Sequence, residues 1–140
     1  MTAATCRACG SDWPPADAFI ADCGLARAYL HEDQFFPGWT LLILKRHATE
    51  LYELDRAERA ALMEAVTDVS RALAAVFDAV KMNYELLGNL LPHIHWHLVP
   101  RRHDDPIPQQ PVWTLPHPPR LLSPAERRAR IEAIRARLRT

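Results

Sequence analysis

Glycine is scarce in this chain, with four in 140 residues, at positions 10, 24, 38 and 88. They lie too far apart to write a Walker loop or a dinucleotide fingerprint, both of which need closely spaced glycines so that the backbone can wrap a phosphate. Any phosphate site here has to be built from side chains. Cysteine is scarce too, and the count of three is odd, which excludes a fully paired disulfide framework. Cys6-Arg7-Ala8-Cys9 has instead the spacing at which two thiolates reach one metal ion, so reduced thiols or zinc are expected. No run approaches the length of a membrane span, and no basic stretch followed by an apolar core opens the chain, so a soluble cytoplasmic protein is expected. Charge of one sign is missing overall, since the net charge is zero. It is nevertheless uneven: residues 120–140 carry seven arginines against two glutamates, which leaves the first 119 residues at about −5.

What is present is enough for one compact domain, because 49% of the residues are hydrophobic and a chain of this length can bury a core unaided. Residues 18–46 alternate apolar runs with turn signals and read as two or three antiparallel strands. Pro37-Gly38 suits the two central positions of a type II turn. From Asp55 the apolar positions change to helical spacing, at Leu62, Val66, Val69, Leu73, Val76, Phe77 and Val80, with Asp55 and Glu58 placed as a capping box. One amphipathic helix over 55–80 is predicted. Residues 81–87 can then return as a strand, and Gly88-Asn89 breaks it. Residues 104–119 are rich in proline and read as an extended loop lying over the domain, with Trp113 as a lid anchored on its own domain. Ser123-Pro124-Ala125-Glu126 opens a basic helix to Leu138. That helix lacks interleaved aromatics, so a solvated surface is expected rather than a nucleic-acid site, and His103 and His117 are expected to be solvated as well. The predicted fold class is α+β: about five antiparallel strands, one long helix on one face, and a C-terminal basic helix. Residues 1–119 form the domain and residues 120–140 the basic helix.

The densest chemistry is His93-Ile94-His95-Trp96-His97-Leu98-Val99-Pro100-Arg101. Side chains alternate across a strand, so the three imidazoles would line one face while Ile94, Trp96 and Leu98 enter a core. Imidazole is poised between neutral and charged near pH 7, which suits acid–base or nucleophilic work.

His-φ-His-φ-His-φ-φ, with φ apolar, is the motif of the histidine triad family, and residues 93–99 resemble it at all seven positions. Pro37-Gly38-Trp39-Thr40-Leu41-Leu42-Ile43 followed by Lys45-Arg46-His47 is similar to that family's strand and its ending, and the likeness runs from about residue 19 to 101. The resemblance implies attack on the α-phosphorus of a nucleotide by the middle histidine, His95, and hydrolysis of the nucleotidyl-histidine by water. His97 would contact phosphate, and a histidine rather than glutamine there implies hydrolysis rather than transfer to a second phosphate. Asn89 would bond the bridging or leaving-group oxygen, Asn83 would fix the site near the phosphate, and Asp33 would bind ribose hydroxyls, its alternative being an ordinary turn carboxylate. Substrates implied are a purine nucleotide, a nucleotidyl amine or a dinucleoside polyphosphate. A homodimer is implied as well. The chain departs from the family pattern at Leu90, where several members have a hydroxyl donor, and at Trp39, where others have a histidine.

Some members complete Cys-x-x-Cys with two histidines, so the resemblance also implies a structural zinc on Cys6, Cys9, His47 and His93, with His93 supporting the site rather than reacting. The alternative is a pair of reduced cysteines in a loose N-terminus. Two further functional readings stay open at this point. In one, His93, His95 and His97 ligate a catalytic metal in a metal-dependent hydrolase; in the other, the chain binds a nucleotide without turning it over.

Overall fold

The computed structural model describes residues 1–139. Its strands β1 (Phe19–Asp22), β2 (Ala26–Leu30), β3 (Thr40–Leu44), β4 (Lys81–Glu85) and β5 (His95–Arg101) form one sheet in the order β1-β2-β3-β5-β4. Every neighbouring pair is antiparallel. β3 is an unbroken Thr-Leu-Leu-Ile-Leu run whose five residues are all buried, as a strand covered on both faces requires. Beside it, β5 is buried along its whole length. The histidine phrase therefore lies at the centre of the sheet and not on a free edge.

Register decides which residues share a face, since directly opposed residues point the same way. Leu42 pairs with Trp96 and Thr40 with Leu98, whereas Leu41 pairs with His97 and Ile43 with His95. On the first face Leu42, Trp96, Leu98 and Ile94 join the main core with the helix α1 (Arg56–Phe77). Ile94, Trp96 and Leu98 are thus core residues, as their alternation with the histidines requires. On the second face, Glu85 lies opposite His97 and Asn83 opposite Val99.

α1 starts as expected: Asp55 accepts from the Glu58 amide and the Glu58 side chain returns to the Asp55 amide, closing the capping box. It ends at Phe77 rather than at 80. Asp78 takes the left-handed conformation, φ 51°, and the Val80 amide donates to the Arg101 carbonyl at 2.9 Å. The chain leaves the helix there in order to join β5 as β4, which itself stops at Glu85 rather than at 87. The Pro37-Gly38 turn forms with the Trp39 amide on the Phe36 carbonyl and Gly38 at φ +91°, the backbone value a type II turn requires at that position.

The second helix, α2 (Pro124–Leu138), begins at the predicted Ser123 cap. Its surface differs from the expectation of a solvated basic helix. Ile131 and Ile134 belong to the main core, and its arginines reach back onto the domain. Arg127 binds Asp17, Arg130 donates to Gln34 at 2.9 Å and lies over the Phe77 ring, and Arg135 donates to the carbonyls of Ile20 and Phe19 at 2.7 and 2.9 Å. Much of the cationic charge is taken up by internal partners.

The proline-rich segment covers the second face of the sheet. Val112 packs with Phe36, Trp39 and Val99 in a separate apolar cluster flanked by Phe35, Ile107 and Leu115. Arg101 holds the segment down from within. Its guanidinium donates to both oxygens of Asp105 at 2.5 and 2.9 Å and to the Gln110 and Ile107 carbonyls at 2.7 Å each. No helix among the described residues is long and apolar enough to cross a membrane.

Candidate active site

His95 and His97 project from β5 onto the covered face with ring centroids 5.2 Å apart. The Nδ1–H of His95 donates to the His93 carbonyl at 2.6 Å. A carbonyl accepts but never donates, so the proton sits on Nδ1 and Nε2 keeps its lone pair. That is the form in which an imidazole is a nucleophile.

His97 is wired in the opposite sense. The Trp39 indole N–H donates to its Nδ1 at 3.0 Å, and indole nitrogen is a donor only. Burial, then repulsion from His95 and His31, holds the His97 imidazolium down to about 3. His97 is therefore neutral at pH 7. Trp113, in the proline-rich segment, sets its ring edge-on to His97 and Trp39, at 5.1 Å from each, and its indole N–H donates to Glu85 at 2.8 Å. Burial pushes the Glu85 carboxyl up despite that bond.

His93 does not share the face of the other two. It precedes β5, its Nε2–H donates to the Leu44 carbonyl at 2.6 Å, and its Nδ1 lies 3.4 Å from Cys6 Sγ, 3.5 Å from Cys9 Sγ and 3.3 Å from His47 Nδ1. The expectation of three imidazoles on one face is therefore corrected to two: pairing of the Leu44 amide with the Ile94 carbonyl brings His93 under the end of β3, where the Leu44 carbonyl captures its ring. His93 serves the pair through its own carbonyl, which orients His95. The same geometry counts against a metal held by His93, His95 and His97 together, because the Nδ1 of His93 faces the cysteines.

Cys6, Cys9, His47 and His93 place four ligand atoms within 4.8 Å of one another. Zinc–ligand bonds of about 2.1 Å to nitrogen and 2.3 Å to sulfur set tetrahedral ligands roughly 3.4–3.8 Å apart, so the separations here fit such an ion. His47 turns its Nδ1 toward the cluster, and one more observation agrees with the donor set. Cys9 is exposed on one side, yet local desolvation and the adjacent Cys6 push its thiol up, a penalty that a divalent cation would reverse.

The remaining predicted residues are dispersed. Asn83 gives its side-chain oxygen to Arg101 at 2.6 Å, so it braces the proline-rich segment. Asn89 and Leu90 are exposed in the loop before the histidines, Leu90 at 99%. Asp33 accepts from the amides of Phe35 and Arg120, at 2.9 Å each, and faces His117 Nε2 at 2.8 Å. Its carboxylate is engaged within the protein, and His117 is not solvated: it stacks on Phe35 at 3.9 Å. Three residues of the site were not foreseen. Trp13 meets His95 edge-on with ring centroids 6.3 Å apart, His31 stacks on Trp39 at 4.2 Å, and Glu85 lies opposite His97. Trp13, Leu30, His31 and Leu41 help to line a cavity of about 430 Å³, which adjoins the pair because Leu41 is the register partner of His97.

The site is a pair of buried imidazoles on the covered face of an antiparallel sheet, one with its Nε2 free to accept and the other with its Nδ1 held by an indole N–H. Residues 15–104 match the HIT domain model, and the chain belongs to the HIT, or histidine triad, family. A histidine triad protein of Bradyrhizobium japonicum is 34% identical, with a TM-score of 0.79 over 86% of this chain and 89% of that one. A Zn-bound histidine triad family protein of Mycobacterium smegmatis shares the fold at 23% identity and a TM-score of 0.71, covering 99% and 96% of the two chains. A Schizosaccharomyces pombe protein, asymmetrical bis(5'-nucleosyl)-tetraphosphatase, is 29% identical over 100 residues, 68% of this chain. This chain spans 55% of that relative's length.

Proposed function

We propose that the protein is a nucleotide hydrolase that works through a nucleotidyl-histidine. His95 Nε2 attacks the α-phosphorus. A nitrogen–phosphorus bond forms, and the bond to the leaving group breaks with its electron pair on that group. Water then attacks the same phosphorus, loses a proton to solvent and returns the lone pair to His95. The observation that carries this reading is the 2.6 Å hydrogen bond from His95 Nδ1–H to the His93 carbonyl, which leaves a nucleophilic nitrogen on the other side of the ring. His97 Nε2–H supplies a neutral donor to the phosphoryl oxygens as charge accumulates. The cavity beside Trp13 and His31 takes the nucleoside, with the indole as an aromatic wall.

The likeness to a dinucleoside tetraphosphatase supports a dinucleoside polyphosphate as substrate, and a nucleotidyl amine offers the same α-phosphorus to His95. Cys6, Cys9, His47 and His93 hold a structural zinc in this reading, and that ion ties the N-terminal arm to the start of β5. Dimerisation fits β4, an edge strand of the sheet, whose Tyr84 is 49% exposed. Three free cysteines suit a reducing compartment.

Leu90 favours a second reading, a nucleotide-binding module without turnover, because an exposed aliphatic side chain donates no proton to a leaving group. The test is cleavage of diadenosine tetraphosphate and an adenylylated amine by the wild-type protein and by His95→Asn. Turnover abolished in the variant with binding retained supports the hydrolase. Binding without wild-type turnover selects the module, and equal turnover in both proteins removes His95 from the reaction.

A further inference from the structure

Trp39 stands out because its side chain is engaged on every side. It is 3% exposed, stacks flat on His31 with 8° between planes, meets Phe36 and Trp113 edge-on, and has its backbone carbonyl bonded by the Gln34 side-chain Nε2 at 2.8 Å. A ring fixed in this way aims its single N–H at one place, and that place is His97 Nδ1.

We propose that Trp39 is a positioning residue that holds His97 in its neutral Nε2–H form, so that this ring offers phosphoryl oxygens a fixed donor and carries no proton through the reaction. The reason is donor–acceptor complementarity. The indole N–H requires a lone pair on Nδ1, so the one proton of neutral His97 lies on Nε2. Protonating Nδ1 would set two N–H groups against each other at 3.0 Å, in a buried place where neither could turn to water. The titratable groups facing the ring are His95 on β5, His31 beyond β2 and Glu85 on β4. The other neighbours, Leu41, Trp39 and Trp113, do not titrate. Burial depresses both His97 and His31, which works in the same direction.

What the donor faces rests on the nucleotidyl reading, but the tautomer does not, so it is measured first in the free protein. Nitrogen-15 NMR of the histidine side chains reports which ring nitrogen carries the proton. Wild-type His97 is expected to show a bare Nδ1 and a protonated Nε2, without titrating between about pH 5 and 8. Trp39→Phe keeps an aromatic ring but removes the N–H. It is expected to release the tautomer and lower kcat roughly 10- to 100-fold with a much smaller change in KM. Trp39→His, which restores a ring N–H, returns the Nε2–H signature. A protonated Nδ1 in the wild type overturns the proposal, as does a Trp39→Phe protein, folded by its amide spectrum, with unchanged tautomer and rate. If the tautomer is as stated and no nucleotide is cleaved, the nucleotidyl reading fails and the tautomer lock stands.

Discussion

Replacing Arg101 by methionine removes the clasp that holds the proline-rich segment against the histidine face. The guanidinium has 3% exposure and Asp105 has 2%, and the donors of Arg101 are matched to Asp105, Asn83, Gln110 and Ile107. Methionine fills much of the volume but leaves the Asp105 carboxylate buried without its cation. Loss of one partner from a buried pair costs about 3–5 kcal/mol. For a chain of this size, each kcal/mol moves Tm by about 2–4 °C, so a fall of roughly 6–20 °C is expected in thermal denaturation followed by circular dichroism. Burial alone would raise the Asp105 carboxyl, but the bonds from Arg101 and the Ile107 amide hold it below the usual range. A depressed carboxyl stabilises above its unfolded value near pH 4 and loses that contribution as pH falls through the folded value. The deficit of the variant therefore narrows below about pH 4, where Asp105 can protonate. Arg101→Met combined with Asp105→Leu is expected to recover much of the loss, because the stranded charge is gone. A single variant that melts within about 2 °C of the wild type at pH 7 would mean that Asp105 is not left buried and unpaired, and that Arg101 is not the clasp.

Three further outcomes follow from the geometry. Chelation, or Cys6→Ser, is expected to release about one zinc per chain and lower Tm; because Trp13 lies against His95 on the same arm, KM should rise more than kcat falls, which metal analysis beside steady-state kinetics would check. His117→Phe keeps the stack on Phe35 but loses Asp33, at a cost of about 0.5–1 kcal/mol. Burial lowers His117, but its bonds to Asp33 and to the Leu115 carbonyl raise it overall, and Asp33 is lowered in spite of burial. The pair therefore stabilises fully between about pH 4 and 6.5 and weakens as pH rises through the folded value of His117, so denaturant titrations should show the gap closing towards pH 9. Gly38→Ala would place a Cβ 2.5 Å from the Phe77 ring at φ +91°; a loss of about 2 kcal/mol or more is expected in urea unfolding.

The sequence made the local elements legible because their signals are local. Period-two alternation marks β5, Asp55 and Glu58 open α1, Ser123-Pro124 opens α2, and Pro37-Gly38 marks its turn. Where the reading missed, a distant partner decided. His93 reads as a strand residue by alternation, but the Leu44 carbonyl, 49 residues away, draws it out of the face. Trp39 reads as a departure from pattern, and its partner His97 lies 58 positions on. Asp33 reads as a turn carboxylate or a ribose ligand until His117, 84 positions away, closes on it. The arginines of α2 look solvated because neither Asp17 nor the carbonyls of β1 announce themselves in a helical pattern. The convergence of Cys6, Cys9, His47 and His93 was legible through Cys-x-x-Cys and the family likeness, whereas Trp13 and Glu85 carried no pattern that pointed to the site.

The proposed reaction requires that His95 takes the phosphorus onto itself. The stereochemical course of cleavage answers this without requiring an intermediate to accumulate. A dinucleoside polyphosphate carrying a chiral phosphorothioate at the attacked position, cleaved in isotopically labelled water, should give retention, because two in-line displacements each invert. Inversion would mean that water attacks directly and that His95 is not the nucleophile.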